Sequence, residues 1–261
     1  MMKVFILIIK EMKSYFYSPT AYVVLTGFLI LTGYFFFNLV SQFSLLLANY
    51  TYLSQIYGNA ELLEQVNLND MIASPLLRNM LVIFLFITPL LSMRTFSEEK
   101  KQRTEELLLT SPITTGQLVA AKFIAALLMG TILILLTFIY MGILALYGDP
   151  EKGPLFTGYL GIWLALIAFL SIGLFVSSMT ENQIVAAIGS FIIMLMLFVI
   201  DWPSEAVGGR LGAILSYLSV SSHITGFVKG TIDTKDIIYF ISIIIVSIFL
   251  TKESIDIQRG R

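Results

Sequence analysis

The chain has 261 residues, of which 57% are hydrophobic and 13% are charged. Soluble domains carry about 25% charged residues, so this composition excludes an ordinary soluble protein and indicates an integral membrane protein. The formal net charge is −1 with no concentrated basic patch, so the sequence does not predict nucleic-acid binding. With no cysteine and one histidine, it offers neither a thiol nucleophile nor the ligand spacing of a metal site.

Six apolar segments predict an all-α integral membrane protein, because a spanning helix needs roughly 20 apolar residues and no barrel-like alternation occurs. Ser18 and Pro19 supply the cap and the first-turn proline of the first span, and Pro89 predicts a kink in the second. Thr114 and Gln117 form a capping box before the third span. The predicted spans are residues 21–40, 76–93, 118–147, 155–179, 184–201 and 236–252.

Residues 1–17 are predicted to form an interfacial helix ahead of a single six-span domain at residues 18–261. Their apolar core is too short for a signal peptide. Lys3, Lys10 and Ser14 fall near one helical face, which leaves apolar side chains free to lie in the membrane surface. The alternative is that this segment simply extends the first span. The basic residues of the predicted interfacial helix are Lys3, Lys10 and Lys13.

Residues 201–235 are too hydrophobic for a solvated loop between the fifth and sixth spans. Their apolar stretches are expected to break at Ser221, Gly226 and Gly230. We predict a re-entrant segment that dips into the membrane or covers the outer mouth, where irregular backbone is tolerated if protein surrounds it. His223 is interpreted as an incidental residue of this outer segment.

Other positions carry further predictions. The outer loop at residues 41–74 is expected to hold a short amphipathic helix and a turn at Gly58. Lys122 is interpreted as a water-exposed residue at the end of the third span. No ionisable residue lies well inside a predicted span, which argues against an ion-coupled carrier. The sequence has no phosphate-binding Gly-x-x-x-x-Gly-Lys-Ser/Thr motif, so the chain is not predicted to be an ATPase or any other enzyme.

A dense charge cluster at residues 94–106 lies between the second and third spans. Eight of these thirteen residues are ionisable, and four acids alternate irregularly with four bases. A topology signal would favour Lys and Arg alone, so the mixed charge indicates a docking surface for a partner; the alternative is a solvated loop. The leucines at residues 107–109 would supply an apolar anchor, and Pro112 a turn back into the membrane.

The cluster resembles the signature of type 2 ABC transporter permeases, and within that family the gliding-motility and nitrous-oxide-reductase-maturation branch. The resemblance also includes residues 177–183, residues 215–219 and the start of the first span at Ser18. Many relatives have glycine where Arg103 stands, so we expect one continuous helix over residues 97–109. The signature residues are Arg94-Thr95-Phe96-Ser97-Glu98-Glu99-Lys100, Thr104-x-Glu106-Leu107-Leu108, Ser111-Pro112-Ile113 and Lys122.

This resemblance implies a six-span permease subunit in a bacterial or archaeal plasma (inner) membrane, with both termini cytoplasmic. It would pair with a second permease subunit and sit on a separate ATPase subunit that binds ATP and Mg, while the chain itself holds no cofactor. The cytoplasmic loop at residues 94–114 would couple ATP hydrolysis to transport, with export as the expected direction. The expected ATPase interface is Arg94, Glu98, Glu99, Lys100, Thr104, Glu106, Leu107, Leu108, Ser111, Pro112 and Glu181.

Two other functions stay open at the level of sequence. The chain could be a scaffold or mechanical component that acts on an extracytoplasmic partner without moving a solute, or a self-contained channel or carrier. The spans hold scattered Thr, Ser and Tyr residues, which suit lipids, glycans and drugs equally as substrates.

The charge distribution makes a testable prediction about topology. With a cytoplasmic N-terminus, 11 basic residues lie on the cytoplasmic side and 5 on the outer side. Basic residues favour the cytoplasmic side, so this orientation is predicted. Single cysteines introduced at Lys101 and Gln258 should therefore react with an impermeant thiol reagent only from the cytoplasm, whereas one at Lys152 should react from outside. Labelling of Lys101→Cys from outside would reverse the orientation.

Overall fold

The computed structural model describes residues 2–58, 67–104 and 113–259, except for the side chains of Met2, Lys3 and Glu205. The described chain is helical, which confirms the predicted all-α class. A π-helical turn, Asn69–Ala73, precedes α3. The helices are α1 (Met2–Tyr17), α2 (Pro19–Tyr57), α3 (Ser74–Ser92), α4 (Arg94–Lys101), α5 (Thr115–Tyr147), α6 (Lys152–Met179), α7 (Gln183–Val199), α8 (Ser204–Val207), α9 (Gly209–Leu218), α10 (Val220–Val228) and α11 (Thr234–Arg259).

Within the described ranges, five helices are long and apolar enough to cross a membrane, and the bent pair α9–α10 would be a sixth if it is one span. These five are α2, α5, α6, α11 and the helix Asn69–Lys101, which contains α3 and α4. α7, which contains most of the predicted fifth span, has 17 residues. At 1.5 Å per residue it is about 26 Å long, slightly shorter than a hydrocarbon core of about 30 Å.

α6 is the central helix of the bundle, and it packs against α3, α7, α10 and α11. Glycines let these helices approach closely: a Cβ atom at Gly161 would lie 2.6 Å from Cβ of Phe227, and one at Gly173 would lie 2.0 Å from Oγ of Ser92. Small residues serve this purpose in membrane helices, where packing replaces much of the hydrophobic driving force.

The first span continues well beyond its predicted end. α2 has 39 residues and a length of roughly 60 Å, and it ends at Gly58, whose φ of 65° terminates the helix in the left-handed conformation. Residues 41–57 therefore continue α2, where a loop with a separate short helix was predicted. The sequence of this stretch contains neither proline nor glycine, so nothing local interrupts the helix.

The outer segment before the last span is helical and bent. α9 and α10 meet at Ser219 with a bend of 70°. Ser221 and Gly226, predicted as breaks, lie inside α10, while Gly230 follows its end with a φ of 91°. α10 buries Phe227 against α6, so protein covers this segment on one side.

The prediction of one continuous helix over residues 97–109 is wrong. α4 ends at Lys101, and Arg103 takes a φ of 56°. The amide of Thr104 donates to the Glu99 carbonyl and that of Arg103 donates to the Lys100 carbonyl, both at 3.0 Å. These two bonds form a Schellman motif, with Arg103 at the position that most often holds glycine. The glycine of many relatives at this position thus corresponds to a helix end, and Arg103 retains the geometry with strain.

This strain makes Arg103→Gly a stabilising substitution. Removing the Cβ from a left-handed residue should relieve about 1 kcal/mol, raising the thermal unfolding midpoint of the detergent-purified chain. Arg103→Ala is the matched control, because it removes the same charge and keeps the Cβ; it should give little or no gain. Equal midpoints for the two variants would show that the backbone of Arg103 is not strained.

Candidate functional site

The second span runs directly into the charge cluster. α3 and α4 are separated only by Met93, and with the π-helical turn they form a helix of 33 residues, Asn69–Lys101. At 1.5 Å per residue it is about 50 Å long, longer than the hydrocarbon core. The charged end of α4 is therefore joined to the α3 span by helix.

Ser177, at the end of α6, holds the helix at the α3–α4 break. Its Oγ accepts hydrogen bonds from the amides of Phe96 and Ser97, at 3.1 and 3.2 Å, and donates to the Met93 carbonyl at 3.0 Å. One buried hydroxyl thereby bonds to three backbone groups in the protein interior, where such groups need partners. The contact joins two segments that are about 80 residues apart and that both carry the resemblance described above.

Lys122 forms a buried ionic junction, which we call the Lys122 junction. Its side chain is 2% exposed, and Nζ lies 3.1 Å from Glu11 Oε1 and 2.9 Å from Glu99 Oε1. Nζ also donates to the Thr95 carbonyl at 2.7 Å, and lies 5.2 Å from the centre of the Phe96 ring. The three N–H groups of the ammonium thus have three acceptors, which joins α1, α4 and α5 at one point.

The interpretation of Lys122 as a water-exposed residue is therefore wrong. The residue lies in the third turn of α5, where a lysine can either extend to water or turn into the bundle. Its acidic partners lie 23 and 111 residues away in sequence. The only sequence feature that could have indicated the burial of Lys122 was Glu11, an acid within an otherwise basic N-terminal segment.

A second set of contacts joins α4 to α6 and α11. The carbonyl of Ser178 accepts a bond from Lys100 Nζ, and it accepts further bonds at 3.2 Å from Ser254 Oγ and Gln258 Nε2. Since Ser254 and Gln258 belong to α11, this carbonyl joins the ends of α4, α6 and α11. Leu7, Phe96 and Ile255 belong to an apolar cluster that also joins α1, α4 and α11.

The predicted interface residues divide into internal and external groups. Glu99 and Lys100 make the internal contacts just given, Arg94 donates to Ser18 Oγ at 2.9 Å, and Thr104 belongs to the Schellman motif. Glu98 is partly buried. Exposed residues at this end are Lys101, Gln102, Arg103 and Glu181. Glu106, Leu107, Leu108, Ser111 and Pro112 lie outside the described residues, as does the side chain of Lys3; Lys10 and Lys13 are exposed on α1.

The outer segment contains a buried pair that the sequence interpretation missed. His223 and Asp236 are 4% and 3% exposed, and their Nδ1 and Oδ1 atoms are 2.6 Å apart. His223 Nε2 lies 2.8 Å from the Tyr217 carbonyl, and its ring stacks on Tyr239 at 4.0 Å. His223 is therefore not incidental, since it joins α9, α10 and α11. Its partner follows it by 13 residues, across a turn that the sequence alone does not position.

These features define a multi-pass, all-α membrane protein in which a charged helix continues a span and is fixed to the ends of several other helices. Residues 5–251 match the family described as ABC-2 family transporter protein, so the chain belongs to that family. It is a membrane permease component of an ABC transporter, a transmembrane subunit of a class that associates with an ATP-binding subunit and is typically not catalytic itself. No curated protein matches the chain.

The Lys122 junction predicts a large effect for Lys122→Met. This change leaves Glu11 and Glu99 together without their cation, and breaking a buried pair costs about 3 to 5 kcal/mol. We expect a strongly lowered unfolding midpoint. The triple variant Glu11→Gln, Glu99→Gln, Lys122→Met should recover most of the loss, because no buried charge then remains unpaired.

The matched control is Lys252→Met. Lys252 is half-exposed and lies 3.6 Å from Asp256, so its loss should cost about 0 to 1 kcal/mol. If Lys122→Met is no more harmful than Lys252→Met, the Lys122 junction contributes little to stability.

Proposed function

We propose that this chain couples ATP hydrolysis by a separate nucleotide-binding subunit to transport across the membrane, in the export direction. Family membership supports the role of a permease component. The observation that carries the coupling proposal is that the α3 span leads, with only Met93 between, into the charged helix α4. ATP and Mg would bind the partner subunit, and this chain would receive the movement.

The contacts around α4 support this assignment. A helix that only marked topology would need no buried partners, yet α4 is bonded to α5 and α1 through Lys122 and to α6 through Ser177. Because the Lys122 junction and the Ser177 bonds join α4 to α1, α5 and α6, a displacement of this helix acts on all three neighbours. Such a contiguous network of packed and hydrogen-bonded elements is a physical means of coupling two distant sites.

The external charges at this end are the proposed docking surface. Lys101 and Arg103 are exposed at the end of α4, and Glu181 is exposed between α6 and α7. To these we add the sequence-predicted residues 106–108 and 111–112. Interfaces of this kind combine steering by exposed charges with a small apolar anchor, for which Leu107 and Leu108 are the proposed residues.

We further propose that the chain pairs with a second permease subunit and belongs to the gliding-motility and nitrous-oxide-reductase-maturation branch. The residues quoted in the sequence analysis support the branch. An extracytoplasmic partner is also proposed, because the outer end of α2 exposes uncharged side chains that few soluble surfaces leave uncovered. They include Leu45, Leu46, Tyr52, Ile56 and Tyr57.

The docking proposal is tested by charge reversal at Lys101 and Glu106. Loss of a close charge pair at an interface costs about 2 to 5 kcal/mol, so Lys101→Glu and Glu106→Lys should each weaken copurification of the ATPase subunit and reduce ATP hydrolysis by the assembled complex. Lys101 is exposed and makes none of the internal contacts described for α4, so Lys101→Glu should keep the unfolding midpoint of the parent chain.

The control is Asp149→Lys, at an exposed position in the turn between α5 and α6, on the predicted outer side. It should leave the ATPase bound. Unchanged binding in both reversed variants, or equal loss in the control, would mean that the ATPase docks elsewhere. Hydrolysis of ATP by the isolated chain would contradict the proposal that a separate subunit is the ATPase.

A further inference from the structure

The buried pair of His223 and Asp236 holds the outer segment together and has no part in the coupling proposed above. His223 lies near the start of α10, just after the 70° bend. Its Nε2 lies 2.8 Å from the Tyr217 carbonyl of α9, and its Nδ1 lies 2.6 Å from Asp236 Oδ1 of α11. One imidazole ring therefore joins three helices.

The partners of His223 determine how many protons its ring carries. The Tyr217 carbonyl can only accept a hydrogen bond, so Nε2 carries a proton. The oxygen of an ionised Asp236 can also only accept, so Nδ1 carries a second proton. A neutral imidazole has a single N–H, and at one of these two contacts its lone pair would face an oxygen. The geometry thus requires one proton more than a neutral histidine beside an ionised aspartate has.

The surroundings of the pair favour a charged ring beside an ionised carboxylate. Asp236 lies in the first turn of α11, where the helix dipole stabilises a negative charge. The ring of Tyr239 stacks on the imidazole at 4.0 Å, a position in which an aromatic face stabilises a cation. In unfolded chains histidine is also the stronger base, with a reference pKa of about 6.5 against about 3.9 for aspartate.

The other ionisable groups on the elements around the pair face water or have different partners. The Tyr217 ring lies edge-on to His223, and the Tyr239 hydroxyl donates to the Leu218 carbonyl. Among the described residues, Asp236 is the charged group in contact with the ring. The remaining groups are Asp201 after α7, which accepts from Ser222; Arg210 on α9 and Lys229 after α10, both exposed; Asp233 and Lys235, which pair at 3.1 Å; and Lys152 and Tyr159 on α6, of which Lys152 is exposed and Tyr159 bonds to Thr137.

We propose that His223 and Asp236 form a proton-binding site that holds the outer segment against the last span. With the proton bound, the ring joins α9 and α10 to α11. Loss of the proton turns the Nδ1 lone pair toward a buried carboxylate that then has no cation, so the contact becomes repulsive. A rise in pH on the outer side therefore loosens α9 and α10. This site is additional to ATPase coupling and does not depend on it.

Proton linkage fixes the direction and the pH window of the effect. Stability falls as pH rises wherever the folded state binds more protons than the unfolded chain. Between about pH 4 and pH 6.5 the unfolded histidine and aspartate carry the same protons as the folded pair, so the pair adds no pH dependence there. Above about pH 6.5 only the folded pair keeps the extra proton, and the unfolding equilibrium constant rises by up to about tenfold per pH unit.

The experiment first measures the protonation of the ring directly. The chain has one histidine, so ¹⁵N-labelled histidine gives imidazole signals from His223 alone when the full chain is purified without a histidine tag. We expect both ring nitrogens to be protonated at pH 8 in the folded chain in detergent. A neutral ring under these conditions would overturn the proposal, and this measurement needs no variant.

Asp236→Asn separates the proton from the contact. The asparagine amide can donate to Nδ1 while Nε2 still donates to the Tyr217 carbonyl, so a neutral ring completes the network. This variant should fold, and its thermal unfolding midpoint should fall much less between pH 7 and pH 9 than that of the parent chain. Asp233→Asn is the matched control, because it removes an exposed acid just before α11; it should keep the pH dependence of the parent.

Hydrogen exchange then locates the effect in the outer segment. Between pH 7 and pH 9 the amides of α9 and α10 should lose protection in the parent chain relative to Asp236→Asn, which corrects for the pH dependence of exchange itself. Equal protection in the two chains at both pH values would overturn the proposal. Equal pH dependence of their unfolding midpoints, or its loss in Asp233→Asn, would also overturn it.

Discussion

The ammonium of Lys122 is the interaction on which the arrangement of the predicted cytoplasmic face depends. It is buried, and its three donors are matched by Glu11, Glu99 and the Thr95 carbonyl. A buried lysine is stable only if its desolvation is offset by such partners, and each acid is likewise acceptable there only because of Lys122. The position of α1 beside α4 and α5 is therefore an electrostatic requirement as well as a matter of apolar packing.

The same contacts restrict how α4 can move relative to its neighbours. A charged helix joined to a span by a flexible loop would move without effect, but α4 follows α3 directly and is bonded to both Lys122 and Ser177. Packed interiors resist small displacements, so movement of α4 has to displace its neighbours or break these bonds. Glu99 and Lys100, although predicted from the sequence to contact the ATPase, make bonds within the chain that hold α4 in this arrangement.

Local signals in the sequence were sufficient for the helices and their beginnings. Apolar runs predicted the all-α class, and the structure shows the Ser18 cap and the Thr114–Gln117 capping box as expected. The predictions that failed include the end of α2 and the breaks at Ser221 and Gly226, as well as contacts that depend on distant partners. The burial of Lys122 depends on Glu11, and that of His223 on Asp236, whereas Arg103 required knowledge of where a helix ends. Such pairings are set by tertiary packing, which periodicity and composition do not encode.

α1 contacts the α3–α4 helix at two successive turns of one face. At the first, Glu11 binds Lys122, which also binds Glu99, so charges of the protein complete the contact. At the second, the Tyr15 hydroxyl donates to the Leu91 carbonyl at 3.0 Å. Just beyond the end of α1, Ser18 Oγ accepts from Arg94 Nη1 at 2.9 Å and also caps α2. The position of the N-terminal helix relative to α3 and α4 is therefore fixed at three points between Glu11 and Ser18, by polar groups that the chain itself supplies.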